Sequence, residues 1–424
     1  MRIVQSNDSF RPIMDGVGVC MENYARHLAL QGHEVAVVAP WSPEIKQKQS
    51  SKGEGKRPSS DDPFALFRYA SLPLPGWKPY RLGTPRLDLN FEHHLHQWTK
   101  GEPLDIVHSH SPFVAGRLAR RLARHHDALH VTTFHSKYRD DFLKSVPSEG
   151  LADLFVASLV RFYESADAVW APSNGTAETL KAYGFSGEVT VMPNGADLQP
   201  PTEAEHAEYR RRGEELLLGA DAGSGDRSRA VESGDRGPFI LLFVGQHRWE
   251  KNLRLVIDGL AALPAERARR VRMVFVGVGG DAEEIQEYAE YHGVRELCDF
   301  RGLVVDRELL KSFYARADLF IFPSLYDNAP LVLREAAAFG TPAILAAGST
   351  AAADTVDRRN AYHVRPEPEA LSALVARLMG VREEVTEVGA RAQKEVYRSW
   401  EGIVTEVADR YRSLLEASER KDGQ

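Results

Sequence analysis

Phe239-Ile240-Leu241-Leu242-Phe243-Val244, followed by Gly245-Gln246-His247-Arg248-Trp249-Glu250-Lys251-Asn252 and then Leu253-Arg254-Leu255-Val256-Ile257, is the stretch that decides the fold. Six apolar residues in a row suit a strand buried on both faces. A glycine ends the run, a cationic loop follows, and the apolar positions then suit a helix over Leu253–Leu263. Strand, turn and helix open a βαβ unit, and the pattern repeats downstream. Val271–Val276 reads as a strand and Ala282–His292 as a helix, with Asp299–Arg301, Leu319–Phe322 and Ala343–Leu345 as further strands.

Working outward, the N-terminal half shows the same alternation. Arg2–Gln5 is a short apolar strand, after which Val17, Met21, Tyr24 and Leu28 recur at helical spacing until Gly32. Glu34–Ala39, Asp105–His108, Val131–Phe134, Ala168–Ala171 and Val189–Met192 read as strands, with helices at Phe113–His125 and Leu151–Ser165. Such alternation is the mark of doubly wound α/β domains. At 424 residues the chain is too long for one core and fits two domains.

The stretch from Gln199 to Gly237 breaks the pattern. Ala220–Gly225 and Glu232–Gly237 are rich in Gly, Asp and Ser, so an irregular linker with a flexible insertion is expected there. Trp41–Lys56, rich in Lys, Gln and Ser, reads as a surface loop. The resulting division is an N-terminal domain over 1–198, a linker over 199–237, a second domain over 238–395 and a terminal helix in 396–424. That helix, from Trp400 to about Ala417, carries Ile403, Val404, Val407, Tyr411, Leu414 and Leu415 on one face. It needs a surface to bury against.

Composition narrows the function. A net charge of −7 argues against non-specific nucleic-acid binding. Cys20 and Cys298 are too few for a disulfide framework or a cysteine zinc site, and suit a reducing compartment. The N-terminus shows no signal-peptide pattern, and no apolar run approaches the ~20 residues that span a bilayer. A cytoplasmic location is expected, with peripheral contact at the inner membrane face left open.

Chemistry-bearing residues gather at the ends of the expected strands. Asp15-Gly16-Val17-Gly18 lies between the first strand and helix, where glycine lets backbone N–H groups approach a phosphate at the positive helix end. Met21 stands where a third glycine of a dinucleotide fingerprint would be, which weakens an NAD reading. His135 follows a strand end, the edge where open α/β sheets bind ligands, and a neutral imidazole there can donate to a sugar hydroxyl. His108, His110, His125 and His126 read as ordinary surface or satisfied histidines. Arg248 and Lys251 suit a diphosphate whose negative charge grows as it leaves. Asp327 and Glu335 bracket a helix start at Pro330, with Asn328 as the expected cap, and ionised carboxylates suit paired hydroxyls. A glycosidase acid pair is a further reading of these two carboxylates. Gly277-Val278-Gly279-Gly280 reads either as a phosphate loop or as a tight connection. An Asp-x-Asp metal pair is absent from the sequence, so no metal ligand is expected and the phosphate charge falls to Arg248, Lys251 and helix dipoles.

Taken in order, several motifs resemble the retaining GT-B glycosyltransferases of family 4, the "glycosyl transferases group 1". They are Asp15–Gly18, Asp105-Ile106-Val107-His108-Ser109-His110, Thr133-Phe134-His135, Ala171-Pro172-Ser173 and Met192-Pro193-Asn194-Gly195-Ala196-Asp197. Glu250-Lys251-Asn252, Pro323 through Glu335 and Gly340-Thr341-Pro342 complete the series. The resemblance implies two Rossmann-like doubly wound domains facing across a cleft, with the terminal helix crossing back to the N-terminal domain. It implies a metal-independent hexosyltransferase that retains anomeric configuration, with no cofactor beyond a nucleotide diphosphate sugar as co-substrate, UDP- in preference to GDP-. Gly16, Val17, Arg248, Lys251, Asp327, Asn328, Ala329, Leu331 and Glu335 would bind the donor, Glu335 through the ribose. His135, Arg248, Lys251 and Asp327 would serve catalysis.

Departures from the family pattern fall at Gln246, where an arginine is usual, and at Asp327-Asn328-Ala329-Pro330, where Glu-Gly-Phe-Gly is usual. Asp15 also places a carboxylate in the first glycine loop. The acceptor is expected to be a lipid, a saccharide or a small molecule. Thr133 through Tyr138 resembles the lipid-glycosylating branch, and Arg117, Arg120, Arg121, Arg124 and Lys144 read either as a basic face for an anionic leaflet or as an ordinary solvated helix surface. A non-catalytic nucleotide-sugar sensor and a dinucleotide oxidoreductase are the competing classes.

Overall fold

The computed structural model describes residues 1–13, 15–42, 62–73, 81–100, 102–146, 148–219 and 237–422. Most of the loop expected at Trp41–Lys56 and the insertion at 220–236 lie outside the described residues. The chain forms two compact units, Met1–Gly195 with Trp400–Gln424, and Ala196–Ser399.

In the first unit the strands are β1 (Arg2–Ser6), β2 (Glu34–Pro40), β3 (Ala65–Tyr69), β4 (Ser71–Pro73), β5 (Arg81–Gly83), β6 (Ile106–Ser109), β7 (Leu129–Thr133), β8 (Ala168–Ala171) and β9 (Val189–Val191). Seven of them form a parallel sheet in the order β3-β2-β1-β6-β7-β8-β9, and β4 pairs with β5 apart from it. β3 to β5 fall where no element was expected.

The order reverses between β1 and β6, so the crevice of this sheet opens beyond their C-terminal ends. β1 is buried throughout and leads to the Gly16–Leu30 helix, whose start is capped by Asp15 accepting from Gly18 N at 2.7 Å. The helix stops at Gly32, which takes φ +87°, a conformation open to glycine without penalty.

Register sets Gln5 opposite His108, so Gln5, His108 and His110 share one face while Val4 and Val107 enter the core on the other. The Trp400–Asp422 helix belongs to this unit and packs on the Gly16–Leu30 helix. Trp400, Ile403, Val404, Val407 and Tyr411 are buried along it, as its apolar stripe requires, while Leu414 and Leu415 are only half-buried. At Gly195 a side chain would strike the Trp400 backbone nitrogen at 2.6 Å, so the returning helix starts where only glycine fits beside it.

The second unit holds β10 (Phe239–Val244), β11 (Val271–Val276), β12 (Cys298–Phe300), β13 (Leu319–Phe322), β14 (Ala343–Ala346) and β15 (Tyr362–Val364). They form a parallel sheet in the order β12-β11-β10-β13-β14-β15. β10 is buried end to end, as its uninterrupted apolar run requires. The order reverses between β10 and β13, again at the strands whose following loops carry the charged residues.

One expectation is corrected. The stretch after Gln199 is not irregular until the insertion, because Glu203–Leu218 is a helix of the second unit. Thr202 and Glu205 close a capping box at its start. Gly213 lets it approach the Arg307–Arg316 helix so closely that a Cβ there would sit 2.3 Å from Ser312 O.

Candidate functional site

Two loops meet at the switch point of the second sheet. After β10, Gly245–Asn252 runs out and back through a short 3-10 turn at Trp249–Lys251. After β13, the Ser324 hydroxyl accepts from Tyr326 N and Asp327 N, both at 3.2 Å, which bends the chain so that Asp327 faces the first loop. Asn252 Nδ2 donates to Pro323 O at 3.3 Å and ties the loops together. Lys251 Nζ then lies 2.6 and 2.8 Å from the two carboxylate oxygens of Asp327. Both side chains are mostly buried, 16% and 21% exposed, so water screens the pair only weakly.

Glu335 sits in the second turn of the Leu331–Ala338 helix and is buried, with 8% exposure. Burial raises its pKa above the ordinary range, and the Arg307 charge and the Tyr314 hydroxyl oppose the rise. Tyr314 donates to Oε2 at 3.0 Å and Arg307 Nη1 to Oε1 at 3.4 Å, while the other end of Arg307 binds Asp197 at 2.8 Å. Arg307, Tyr314 and Asp197 had not been assigned to the site. Asp197 closes the quoted Met192–Asp197 motif, and Arg307 opens a helix capped by Asp306.

Arg248 is not part of the Lys251–Asp327 ion pair. Its side chain is 51% exposed and lies 3.9 Å from Glu250. Asn328 is buried but does not cap the helix; Pro330 occupies the cap with no side-chain hydrogen bond. Ala329 and Leu331 flank it half-buried. In Gly277–Gly280, side chains at Gly277 and Gly279 would strike Gly245 O at 1.9 Å and His247 O at 2.2 Å, so close packing accounts for those two glycines, whereas a Cβ at Gly280 would meet nothing within 4 Å. That packing fixes the loop carrying Arg248 and Lys251.

The other assigned residues belong to the first unit. Gly16 is exposed, and a Cβ there would meet nothing within 4 Å, so its smallness answers no packing demand. Val17 beside it is half-buried. The Asp15 carboxylate is taken up by the cap and by the Ser9 hydroxyl at 2.8 Å.

His135 lies just past β7 and is buried, which lowers its pKa to about 3 and keeps the imidazole neutral at physiological pH. Its Nε2 is 3.1 Å from Nδ1 of His110. His108 and His110 are therefore part of an interior cluster rather than isolated histidines, with rings stacked 4.4 Å apart. His125 and His126 pack edge to face at the end of the Val114–His126 helix, away from this cluster in sequence and strand.

Cys20 joins the same cluster. Its sulfur and ring nitrogens of His110 and His135 lie within 4.8 Å of one another, a set that counting cysteines alone had excluded. The short His110–His135 contact is a hydrogen bond, and burial raises the Cys20 thiol pKa, so a cation would first have to displace protons from both. On the expected basic face, Arg121 is paired with Glu92 at 2.8 Å and Lys144 lies 3.6 Å from Asp141, so part of its charge is neutralised.

Comparison with known proteins places this geometry in a class. Residues 14–200 match the model of Glycosyltransferase Family 4, and residues 226–395 match that of Glycosyl transferases group 1. The chain belongs to the GT-B glycosyltransferases of family 4 and has the two Rossmann-like domains of that fold.

It is 24% identical over 346 residues to an alpha-monoglucosyldiacylglycerol synthase of Streptococcus pneumoniae, covering 81% of this chain and 70% of the relative. To a GDP-mannose-dependent alpha-mannosyltransferase of Mycobacterium tuberculosis it is 27% identical, covering 81% and 78%. The fold is similar to that of a sucrose-phosphate synthase from Thermosynechococcus elongatus, with TM-score 0.72, 19% identity and coverage of 98% and 99%. It is also similar to that of Anabaena HepE in complex with UDP, with TM-score 0.69, 15% identity and coverage of 97% and 100%. The activity is accordingly that of a glycosyltransferase. Among the described residues no helix is long and apolar enough to cross a membrane.

Proposed function

We propose that the protein is a retaining, metal-independent hexosyltransferase that uses a UDP-sugar in preference to a GDP-sugar. The observation that carries this reading is the Lys251–Asp327 pair at the switch point, with buried Glu335 on the helix behind it. A diphosphate entering between the loops takes Lys251 as its counter-charge, which frees the Asp327 carboxylate to accept from hydroxyls of the sugar. Glu335, acceptor-only when ionised, takes the ribose hydroxyls, and Arg307 gives up its weak contact with Oε1 to admit them.

As the sugar–phosphate bond lengthens, negative charge grows on the oxygen nearest Lys251, and a fixed ammonium there lowers the barrier. The leaving phosphate takes the acceptor's proton, and the acceptor attacks from the same face, through an oxocarbenium-like state. Retention is supported by the α-linkage in the names of the two relatives, the linkage that retention leaves from an α-linked nucleotide sugar. Metal independence is supported by the lack of an Asp-x-Asp pair in a chain that places Lys251 at the site. Use of UDP is supported by the UDP bound in a protein of similar fold. A diacylglycerol-type lipid acceptor, met at a membrane surface, follows the glucolipid synthase relative.

The test is a thermal-shift panel of UDP-, GDP- and ADP-sugars in the presence of EDTA. A UDP-sugar should raise the melting temperature most, since a ligand at a hundred times its Kd adds about 2.7 kcal/mol. Stabilisation only by a GDP-sugar, or only with a divalent cation restored, overturns those parts of the reading; no stabilisation by any of them sinks it.

A further inference from the structure

Six polar side chains run as one hydrogen-bonded chain through the interior of the first unit. Thr133 Oγ1, at the end of β7, lies 2.7 Å from His108 Nε2. His108 Nδ1 lies 2.5 Å from the Tyr411 hydroxyl of the returning helix. Gln5 Nε2 donates to that hydroxyl at 3.1 Å, and Gln5 Oε1 lies 2.8 Å from His110 Nε2. His110 Nδ1 completes the run at 3.1 Å from His135 Nε2. Every member except Tyr411 comes from β1, β6, β7 or the residues just beyond them, and all are buried.

Burial lowers the pKa of all three histidines, so each is neutral and carries one ring proton. In such a chain each proton dictates the next. The Gln5 carbonyl oxygen can only accept, so the proton of His110 must be on Nε2. His110 Nδ1 is then an acceptor, and its bond to His135 requires the proton of His135 to be on Nε2. In the other direction the Gln5 amide donates to the Tyr411 oxygen, Tyr411 donates to His108 Nδ1, and His108 donates from Nε2 to Thr133. Turning the Gln5 amide over reverses every bond, and His135 would carry its proton on Nδ1.

We propose that Gln5 is a positioning residue: its amide, braced by Tyr411 of the terminal helix, fixes His135 as the Nε2–H tautomer, so the ring's one N–H is spent inside the unit and Nδ1 is an acceptor. The reading of His135 as a donor to a sugar hydroxyl is thereby reversed: its one N–H goes to His110, and toward a hydroxyl the ring can only accept. The consequence for turnover rests on His135 meeting the transferred sugar, whereas the tautomer does not.

The experiment is long-range proton–nitrogen NMR of the full chain with labelled histidine, in EDTA, with His135 assigned from the signals lost in His135→Gln. The wild type should show His135 and His110 as single Nε2–H tautomers. Tyr411→Phe removes the brace, and Gln5→Met removes the director; each should turn the single His135 pattern into a mixture and lower kcat with the donor KM little changed. A wild-type His135 in the Nδ1–H form overturns the proposal at once, whether or not the variants fold. A single Nε2–H pattern that persists in both variants overturns the role of Gln5. The expected tautomers together with normal turnover of His135→Gln support this inference and instead remove His135 from the proposed reaction.

Discussion

Lys251 carries more of the proposed chemistry than any other single residue. Its ammonium is held at 2.6 and 2.8 Å by both oxygens of Asp327, a placement that keeps a point charge where the two loops meet. Fixed charge is what electrostatic catalysis needs, because no reorganisation is then required as the leaving group ionises. Lys251→Ala should lower kcat by roughly 10²–10³-fold, the scale of removing one preorganised donor. Far-ultraviolet circular dichroism should be unchanged, since the pair lies in loops rather than in the sheet. Steady-state turnover with a UDP-sugar and an acceptor checks this, and near-normal turnover removes Lys251 from the mechanism. Arg248, half exposed and beside Glu250, should be the weaker of the two cations.

Among the elements, legibility followed hydrophobic pattern closely. β8, β10, β11 and β13 stand at the residues their apolar runs marked, because a strand buried on both faces leaves no ambiguity of period. Glu203–Leu218 was missed for the opposite reason. It buries Gly213 and Leu217, and a contact made through glycine leaves no apolar stripe to read. The Thr202–Glu205 capping box was the signal available. Lys251, Asp327 and Glu335 were legible because charge beside a strand end is visible in one dimension. Arg307 and the Gln5–His110–His135 chain were not, since strand order alone brings those residues together.

The glycine contact has a measurable consequence. Gly213→Val should destabilise the second unit by ~1–3 kcal/mol, the usual cost of overpacking, because the added atoms meet backbone that cannot swing aside. Denaturant unfolding of the variant checks it, and an unchanged midpoint would mean that the helix does not seat as closely as the structure has it.

For the molecule as a whole, the distribution of buried histidines sets how it responds to acid. The first unit holds the buried His108, His110, His130 and His135 with pKa values lowered by burial, to about 4 for His130 and about 3 for His135, and the partly buried His33 and His126 are lowered as well. The second unit has His247 and His363 lowered. A base whose folded pKa lies below its unfolded value of about 6.5 stabilises the fold fully above that pH and loses the contribution as pH falls toward the folded value. Between pH 6 and 5 the unfolded chain therefore takes up protons that the folded first unit refuses. The four buried histidines alone should lower the unfolding free energy by up to ~5 kcal/mol per pH unit, at ~1.4 kcal/mol for each proton. Asp8 in the first unit and Glu335 in the second act in the other sense: their raised carboxyls keep a proton in the fold, which favours the folded state as pH falls. One group in each unit leaves the contrast between the units intact. Hydrogen exchange followed by mass spectrometry from pH 7 to 5, corrected for intrinsic rates, should show peptides of β6 and β7 losing protection before those of β10 and β13. Loss in the reverse order, or in parallel, would mean that the histidine cluster is hydrated or already charged, and the fixed tautomer of His135 would fall with it.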